Sequence, residues 1–250
     1  MSSGTEHHRI VCIIEARMRS TRLPGKVLLE AVGEPLLSLM VERLRRSQRL
    51  DGIVVATTED ASCDPIEELA HELGVGVFRG SEDDVLARVL GAAQASGADV
   101  IVETTGDCPL IDPTWLDVVV DAYLGDGGCD FCSNTLTETF PRGTDVRVFS
   151  TAALAEVAAT TNDPADREHV SLYFWTHPER YHLREVRSPD PSLGGLRLTV
   201  DTPEDLALVR AVFDRLYPDN PAFGLDDVAR LLREHPEIRA LNASIQQMAV

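Results

Sequence analysis

Residues 10–29 read IVCIIEARMRSTRLPGKVLL. The first five are apolar, long enough for one strand buried on both faces. The next stretch is a loop: residues 16–26 hold Arg17, Arg19, Arg22 and Lys26 and no acid. Beyond it Leu36, Leu37, Met40, Val41 and Leu44 fall on one helical face. Strand, basic loop and amphipathic helix in that order open a β–α–β unit.

The same alternation continues outward. Apolar runs recur at residues 53–57 (IVVAT), 75–78 (VGVF) and 100–104 (VIVET). Between them Ile66, Leu69, Ala70 and Leu73 make one helical stripe, and Val85, Leu86, Val89, Leu90 and Ala93 make another. This predicts an α/β, Rossmann-like fold: a mostly parallel sheet with right-handed crossovers and flanking helices. Residues 130–149 read as extended segments joined by Pro-Arg-Gly, followed by helices over 151–160 and 164–176. Residues 180–187 and 196–200 alternate as strands do. Thr202, Pro203 and Asp205 mark a capped helix start, with Leu206, Val209, Phe213 and Leu216 on its buried face. A last helix is expected over 225–235, then a peripheral tail. No linker separates two units. A single domain is expected, with a core over 10–215, an inserted antiparallel portion over 130–190 and C-terminal helices over 202–250.

The chain has 250 residues, 41 of them acidic and 23 basic, for a net charge of −18. Such a balance argues against nucleic acid as partner, because phosphate backbones require clustered Lys and Arg. The first ten residues carry no apolar stretch of signal-peptide length, and no segment is long and apolar enough to span a membrane. Five cysteines without a framework spacing fit reduced thiols, so a cytoplasmic location is expected. Cys129 and Cys132 form a C-x-x-C with no second pair to complete a metal set, which leaves buried strand thiols as the simpler reading.

Against that acidity the loop stands out. Arg offers a rigid fork of donors for phosphate oxygens and Lys a point charge. Ser20 and Thr21 add hydroxyls, and Pro24-Gly25 turns the chain back to present Lys26. A triphosphate cradle and a solvated loop paired with surrounding acids are equally compatible with charge alone. Neither G-x-x-x-x-G-K-[ST] nor G-x-G-x-x-G is present, which disfavours a P-loop NTPase and a dinucleotide dehydrogenase. Two carboxylates end apolar stretches: Asp107 in VIVETTGDCPLID and Asp201 in LRLTVDTPED. Each suits Mg²⁺, which takes hard oxygen ligands, and each is equally readable as a turn former or a polar residue before a cap.

The segment AR-x-x-STRLPGK after an apolar strand resembles the signature of the sugar-activating cytidylyltransferases, which make CMP-3-deoxy-manno-octulosonate and CMP-sialic acids. IIEARMRSTRLPGKVLL is most similar to the spore-coat-polysaccharide, SpsF-type branch. GDCPLID and VDTPEDL match the family's two later segments in order, and RGSEDDVLAR, PRGTDVRVF and REHVSLYF resemble others, so the likeness runs from about residue 10 to 215. It implies a nucleotidyltransferase fold of GT-A type and Mg²⁺ on Asp107 and Asp201. It also implies nucleotide contacts from Ala16, Arg17, Ser20, Arg22, Lys26, Thr57 and Arg79. Arg17, Lys26, Asp107 and Asp201 would carry catalysis. Arg142, Asp145, Arg167 and His169 would bind an anionic acceptor, with surface or inter-subunit salt bridging as the other reading of the basic ones. Glu15 and Arg19 stand where Gln and Gly are common, and Arg147 where an acid is common. The first two bear on base and phosphate contact, the third on the acceptor.

The implied reaction is in-line attack of an acceptor oxygen on the α-phosphorus of CTP, with loss of pyrophosphate. The acceptor would be a 2-keto-3-deoxy acid sugar or a related anion, and the enzyme a homodimer with a contact through residues 130–149. Two other readings are a nucleotide-sugar glycosyltransferase and a catalytically silent nucleotide-binding protein of the same fold. SEDD at 81–84 is not the D-x-D that a glycosyltransferase would show.

Overall fold

The computed structural model describes residues 8–245. Seven strands form one sheet: β1 (Ile10–Glu15), β4 (Gly52–Thr58), β5 (Gly76–Gly80), β6 (Val100–Thr105), β7 (Phe131–Ser133), β8 (Arg147–Ser150) and β9 (Leu183–Glu185). Their order is β5-β4-β1-β6-β8-β7-β9. Every neighbouring pair is parallel except β6–β8 and β8–β7, so β8 alone runs against the rest. The expected mostly parallel α/β sheet with an antiparallel part is what forms. Two two-residue strands, β2 (Glu30–Ala31) and β3 (Glu34–Pro35), make a separate hairpin after the first loop.

The apolar runs explain the layers. In β1, Ile10, Cys12 and Ile14 face one way, toward α1 (Leu36–Leu44), α2 (Asp64–Glu72) and α4 (Pro113–Leu124). Val11 and Ile13 face the other, toward α3 (Val85–Ser96), α5 (Thr151–Thr160) and α7 (Leu172–Thr176). A strand covered on both faces must be apolar throughout, which is why these runs do not alternate. A third cluster joins α8 (Pro203–Leu216), α9 (Leu225–Glu234) and α10 (Pro236–Arg239) to the outer side of α1 through Leu36 and Leu39. Thr202 caps α8 in a reciprocal box with Asp205, Pro203 fills its first turn, and Asp112 caps α4 by accepting from Thr114 N at 2.8 Å.

Several segments differ from the sequence reading. Residues 164–176 form two short helices, α6 (Pro164–Glu168) and α7, because the backbone leaves helical geometry at His169 (φ −109°, ψ 79°). Residues 196–200 join no strand ladder. They are extended and held singly, by Arg142 N to Leu196 O, Leu198 N to Arg142 O and Val200 N to Asp107 O. The strand expected over 180–187 shrinks to three residues. Most of 130–149 is folded into the core of this chain, with Phe131, Cys132, Phe140, Val146, Val148 and Phe149 buried; Asp130, Thr137 and Glu138 are exposed. The C-terminal tail is not peripheral as far as Asn242, which is buried and bonded to Arg197 O and Asp205.

The Pro-Arg-Gly turn depends on its glycine. Gly143 has φ +97°, and a Cβ there would meet Thr199 N at 2.3 Å. Gly143→Ala is expected to cost about 2–4 kcal/mol from left-handed strain and overpacking. Thermal or urea unfolding measures this; a loss below about 0.5 kcal/mol would contradict the close packing of this turn on residues 198–199.

Candidate active site

The order of strands changes direction at β1: the chain leaves β1 toward β4 and β5, then crosses back through α3 to β6 on the other side. Ligands in open α/β sheets bind at such a switch, beyond the carboxyl ends of the strands. Here Gly106 N donates to Glu15 O at 2.8 Å and Ala16 N to Ala56 O at 3.2 Å, which fixes the three strand ends together. A Cβ on Gly106 would lie 3.1–3.3 Å from Val27, Glu15 O and Ala16, so the loop after β6 sits tightly against the first loop.

The first loop closes on Met18, whose carbonyl accepts Gly25 N at 2.8 Å and Ser20 N at 3.1 Å. Gly25 (φ +68°) then turns the chain so that Lys26 points into the crevice. Lys26 Nζ bonds Asp107 Oδ2 and Asp201 Oδ1, both at 2.7 Å. Arg22 reaches Asp201 Oδ2 at 3.2 Å, and Arg197 reaches the same oxygen at 2.7 Å. Burial lowers the Lys26 pKa, but the two carboxylates more than offset it and leave it above the ordinary value. Burial raises Asp201, yet Lys26, Arg197 and Arg22 hold it below the usual carboxylate range.

Behind Asp201 lies a support that the sequence reading missed. Asp205 is fully buried and accepts from Arg197 Nε at 2.9 Å, Asn242 Nδ2 at 2.8 Å, and Asp201 N and Thr202 N at 3.1 Å. One carboxylate thus orients both the backbone of Asp201 and the guanidinium that grips it. The Arg197, Asp201, Asp205 spacing was the available signal. Asp107 is fixed in parallel: Thr105 Oγ1 donates to its Oδ1 at 2.5 Å, while its carbonyl accepts Val200 N at 2.9 Å and Thr199 Oγ1 at 3.2 Å.

The crevice has a volume of about 520 Å³. It is lined by Ala16, Arg17, Ser20, Arg22, Lys26, Asp107, Asp201 and His169 from the sequence reading, by Glu15, which that reading noted as a departure bearing on base and phosphate contact, and by Arg88, Thr105 and Glu168, which it left without a role. Arg88 is a second missed residue. It is buried on the apolar stripe of α3 and donates to the carbonyls of Ser81 and Glu82. The other candidates lie apart from this lining. Arg167 faces an adjoining cavity and pairs with Asp84 at 3.2 Å. Arg142 pairs with Glu138 at 3.0 Å. Thr57 is buried within β4. Arg79 is engaged by Asp64 and Glu67, at 2.7 and 2.5 Å. Of the lining residues, Arg17 pairs with Glu82 at 3.8 Å; Arg19, outside the lining, pairs with Glu82 at 3.4 Å and Asp60 at 2.9 Å.

Beneath the crevice runs a charged row in which Glu103 is buried and Glu15, Asp145 and Arg147 are half-buried. Arg147 lies 3.4 Å from both Glu103 Oε1 and Asp145 Oδ2. Burial and the neighbouring Glu103 push Glu15 up to about 8, against the pull of Arg88 and Arg147. Glu103 is also raised, by burial, although Arg147 opposes it.

The donor set fits a hard divalent cation. Two carboxylates from separate segments already converge on one cationic nitrogen, with their remaining oxygens tied to Thr105, Arg22 and Arg197. All five cysteines are free thiols, and among the described residues no cluster of three or more His, Cys, Asp or Glu is present, so a cation here would rest on these two carboxylates.

Comparison with known proteins identifies the family. A cytidylyltransferase family model matches residues 11–213. The spore coat polysaccharide biosynthesis protein SpsF of Bacillus subtilis is 34% identical over 234 residues, covering 91% of this chain and 95% of SpsF. A cytidylyltransferase structure from Leptospira borgpetersenii superposes with TM-score 0.89 at 35% identity, over 98% of this chain and 100% of that one. CMP-2-keto-3-deoxy-manno-octonic acid synthetase, solved with CTP, shares the fold at TM-score 0.64 and 19% identity, over 83% of this chain and 99% of its own. A crevice at the switch point, floored by two carboxylates and walled by a basic loop, thus sits on a chain whose sequence matches one family over most of its length: this protein belongs to the cytidylyltransferases.

Proposed function

We propose that this enzyme transfers CMP from CTP to an acidic sugar, a 2-keto-3-deoxy acid sugar or a related anion, and releases pyrophosphate. The observation that carries the reading is the convergence of Arg22 and Lys26 on Asp107 and Asp201 within one crevice. A triphosphate needs cations and a metal bridge at the same place. The first loop supplies the former, and two carboxylates suit the latter.

In the reaction the acceptor hydroxyl oxygen bonds to the α-phosphorus, the bond from that phosphorus to the α–β bridging oxygen breaks so that this oxygen leaves with pyrophosphate, and the hydroxyl proton passes to solvent. Arg17, Arg22 and Lys26 hold the β- and γ-phosphates and neutralise the charge that grows on the leaving pyrophosphate. Ser20 and the Ala16 backbone position the nucleotide against the end of β1. Asp107 and Asp201 would hold Mg²⁺, which supplies charge neutralisation at phosphate oxygens and lowers the pKa of the acceptor hydroxyl. Asp205 and Arg197 orient Asp201 for that task. His169, at the break between α6 and α7, and Arg88 offer cationic or hydrogen-bonding edges to an anionic acceptor. Free thiols suit a reducing compartment, and we place the enzyme in the cytoplasm, working as a homodimer. No helix of the described residues is long and apolar enough to cross a membrane.

Pyrophosphate release from CTP with a panel of acidic sugars tests the reading. Release is expected with at least one acid sugar, should cease on chelation and should return with Mg²⁺. Consumption of a nucleotide sugar without pyrophosphate, or no turnover of any nucleotide with any acceptor, would overturn it.

Asp107→Asn and Asp201→Asn should each lower kcat by about 10²–10³-fold. Lys26→Met should lower kcat/KM for CTP by at least about 10²-fold. Its loss should fall on CTP and not on acceptor KM, which steady-state kinetics separates.

A further inference from the structure

Lys26 is the only lysine among the 23 basic residues of the chain; the rest are arginines. Its ammonium cannot serve phosphates and carboxylates from one position. It bonds Asp107 Oδ2 and Asp201 Oδ1 at 2.7 Å, and among the described residues neither oxygen has another partner. The opposite oxygens are taken: Thr105 Oγ1 donates to Asp107 Oδ1 at 2.5 Å, and Arg197 Nη2 donates to Asp201 Oδ2 at 2.7 Å. A hard cation entering the pair therefore meets Lys26 on one side of each carboxylate and another donor on the other.

These donors differ in what holds them. Thr105 is the last residue of β6 and is fixed by the sheet. Arg197 is gripped again by Asp205 Oδ1 at 2.9 Å and Oδ2 at 3.0 Å, and Asp205 is fully buried. Lys26 begins a single 3-10 turn behind Gly25 and carries its charge on a flexible four-carbon stem. Among the described residues the two carboxylates are the acceptors that its ammonium has. Lys26 is thus the donor that can leave without breaking a further bond. An arginine here would present a planar fork; a point charge on a long stem is more readily given up.

Magnesium takes carboxylate oxygens at about 2.0–2.1 Å. An ion so bound to either oxygen would lie no more than about 5 Å from Nζ. A monovalent and a divalent cation that close, in a half-enclosed crevice, repel strongly. The pair accepts the ammonium or the metal, and both stay only beside a further polyanion. Arg17, Ser20 and Arg22 line the crevice next to Lys26 and suit such an anion.

We propose that Lys26 is an exchangeable counter-ion: its ammonium keeps divalent metal off Asp107 and Asp201 until a triphosphate draws it away, so that metal and nucleotide load together. The inference rests on the nucleotidyl-transfer reading above and deepens it with an order of loading. The coupling is reciprocal. A triphosphate that takes Lys26 strengthens metal binding at the carboxylates, and the metal, by repelling the ammonium, strengthens the hold of Lys26 on the phosphates.

With one lysine in the chain, enzyme made with [ε-¹³C]lysine gives a single lysine side-chain signal, that of Lys26. Mg²⁺ alone should leave that signal in place, and CTP with Mg²⁺ should move it. A shift with Mg²⁺ alone as large as that with CTP and Mg²⁺, or no shift with either, would overturn the inference. Mn²⁺ binding without nucleotide, read from the EPR signal of the free ion, supplies a second arm. Lys26→Met should bind one Mn²⁺ at least about tenfold more tightly than wild type, and adding Asp107→Asn should remove the gain. Arg17→Met takes away a crevice cation that pairs with Glu82 and with neither carboxylate, and should gain less than about threefold. Equal affinity in wild type and Lys26→Met, or an equal gain in Arg17→Met, would also refute the exchange. Should Lys26→Met fail to fold, the wild-type lysine signal decides alone. Pyrophosphate release in the wild type judges the underlying reading separately: release without the expected shift removes the loading order and leaves the transfer.

Discussion

The site depends on one ammonium between two carboxylates. Asp107 and Asp201 come from segments 81 and 175 residues away from Lys26, and both approach its Nζ to 2.7 Å. Acids so placed lie within about 5 Å of each other, and at an effective dielectric near 20 they repel by about 3 kcal/mol. An attraction of about 6 kcal/mol at each contact, before desolvation, outweighs that repulsion. The backbone enforces the same meeting, because the carbonyl of Asp107 accepts Val200 N, one residue before Asp201. Gly25 and Gly143 each provide a turn that allows this approach: one delivers Lys26, the other lets the Pro-Arg-Gly turn press against residues 198–199.

Acid clustering then becomes a question of distance. The chain carries −18 overall, but the crevice sets Arg17, Arg22, Lys26 and Arg88 against Glu15, Asp107, Glu168 and Asp201. Screening in salt extends only about 8–10 Å, so the ligand meets this near-balanced lining more strongly than the distant surface acids.

The fold was legible where burial is two-sided. β1, β4 and β6 are interior parallel strands whose apolar runs have no competing explanation, while β5 stands at the sheet edge and is only partly buried. Legibility falls where few residues carry an element. β7 and β9 have three residues each, and residues 196–200 look like a strand because they are extended and largely buried, yet single bonds hold them. Asp107, Asp201 and the loop cations were visible because each ends an apolar run or breaks the charge trend. Arg88 and Glu103 were not, since a charge inside an apolar stripe reads as an interruption. The partners that justify burying them, Ser81 O and Glu82 O for one and Arg147 for the other, are set by tertiary structure. His169 was found by its motif, but its position follows from a helix break that periodicity does not reveal.

The reversed strand gives the sheet its chemical asymmetry. A parallel strand brings only its exit to the carboxyl-end crevice, as β1 brings Glu15 and β6 brings Thr105 and Asp107. Because β8 runs the other way, it brings its entry: Arg147 pairs with Glu103 across the ladder, and Asp145 lies just before it. Arg147 and Phe149 share a face, and Phe149 packs in the core on the α3 side, so the guanidinium must lie on the same side as Glu15 and Glu103. A parallel strand at that position would have put its first residues at the opposite end of the sheet, and the two glutamates would have had no cation below them. Antiparallel pairing at this one place therefore decides which charges the floor of the crevice can hold.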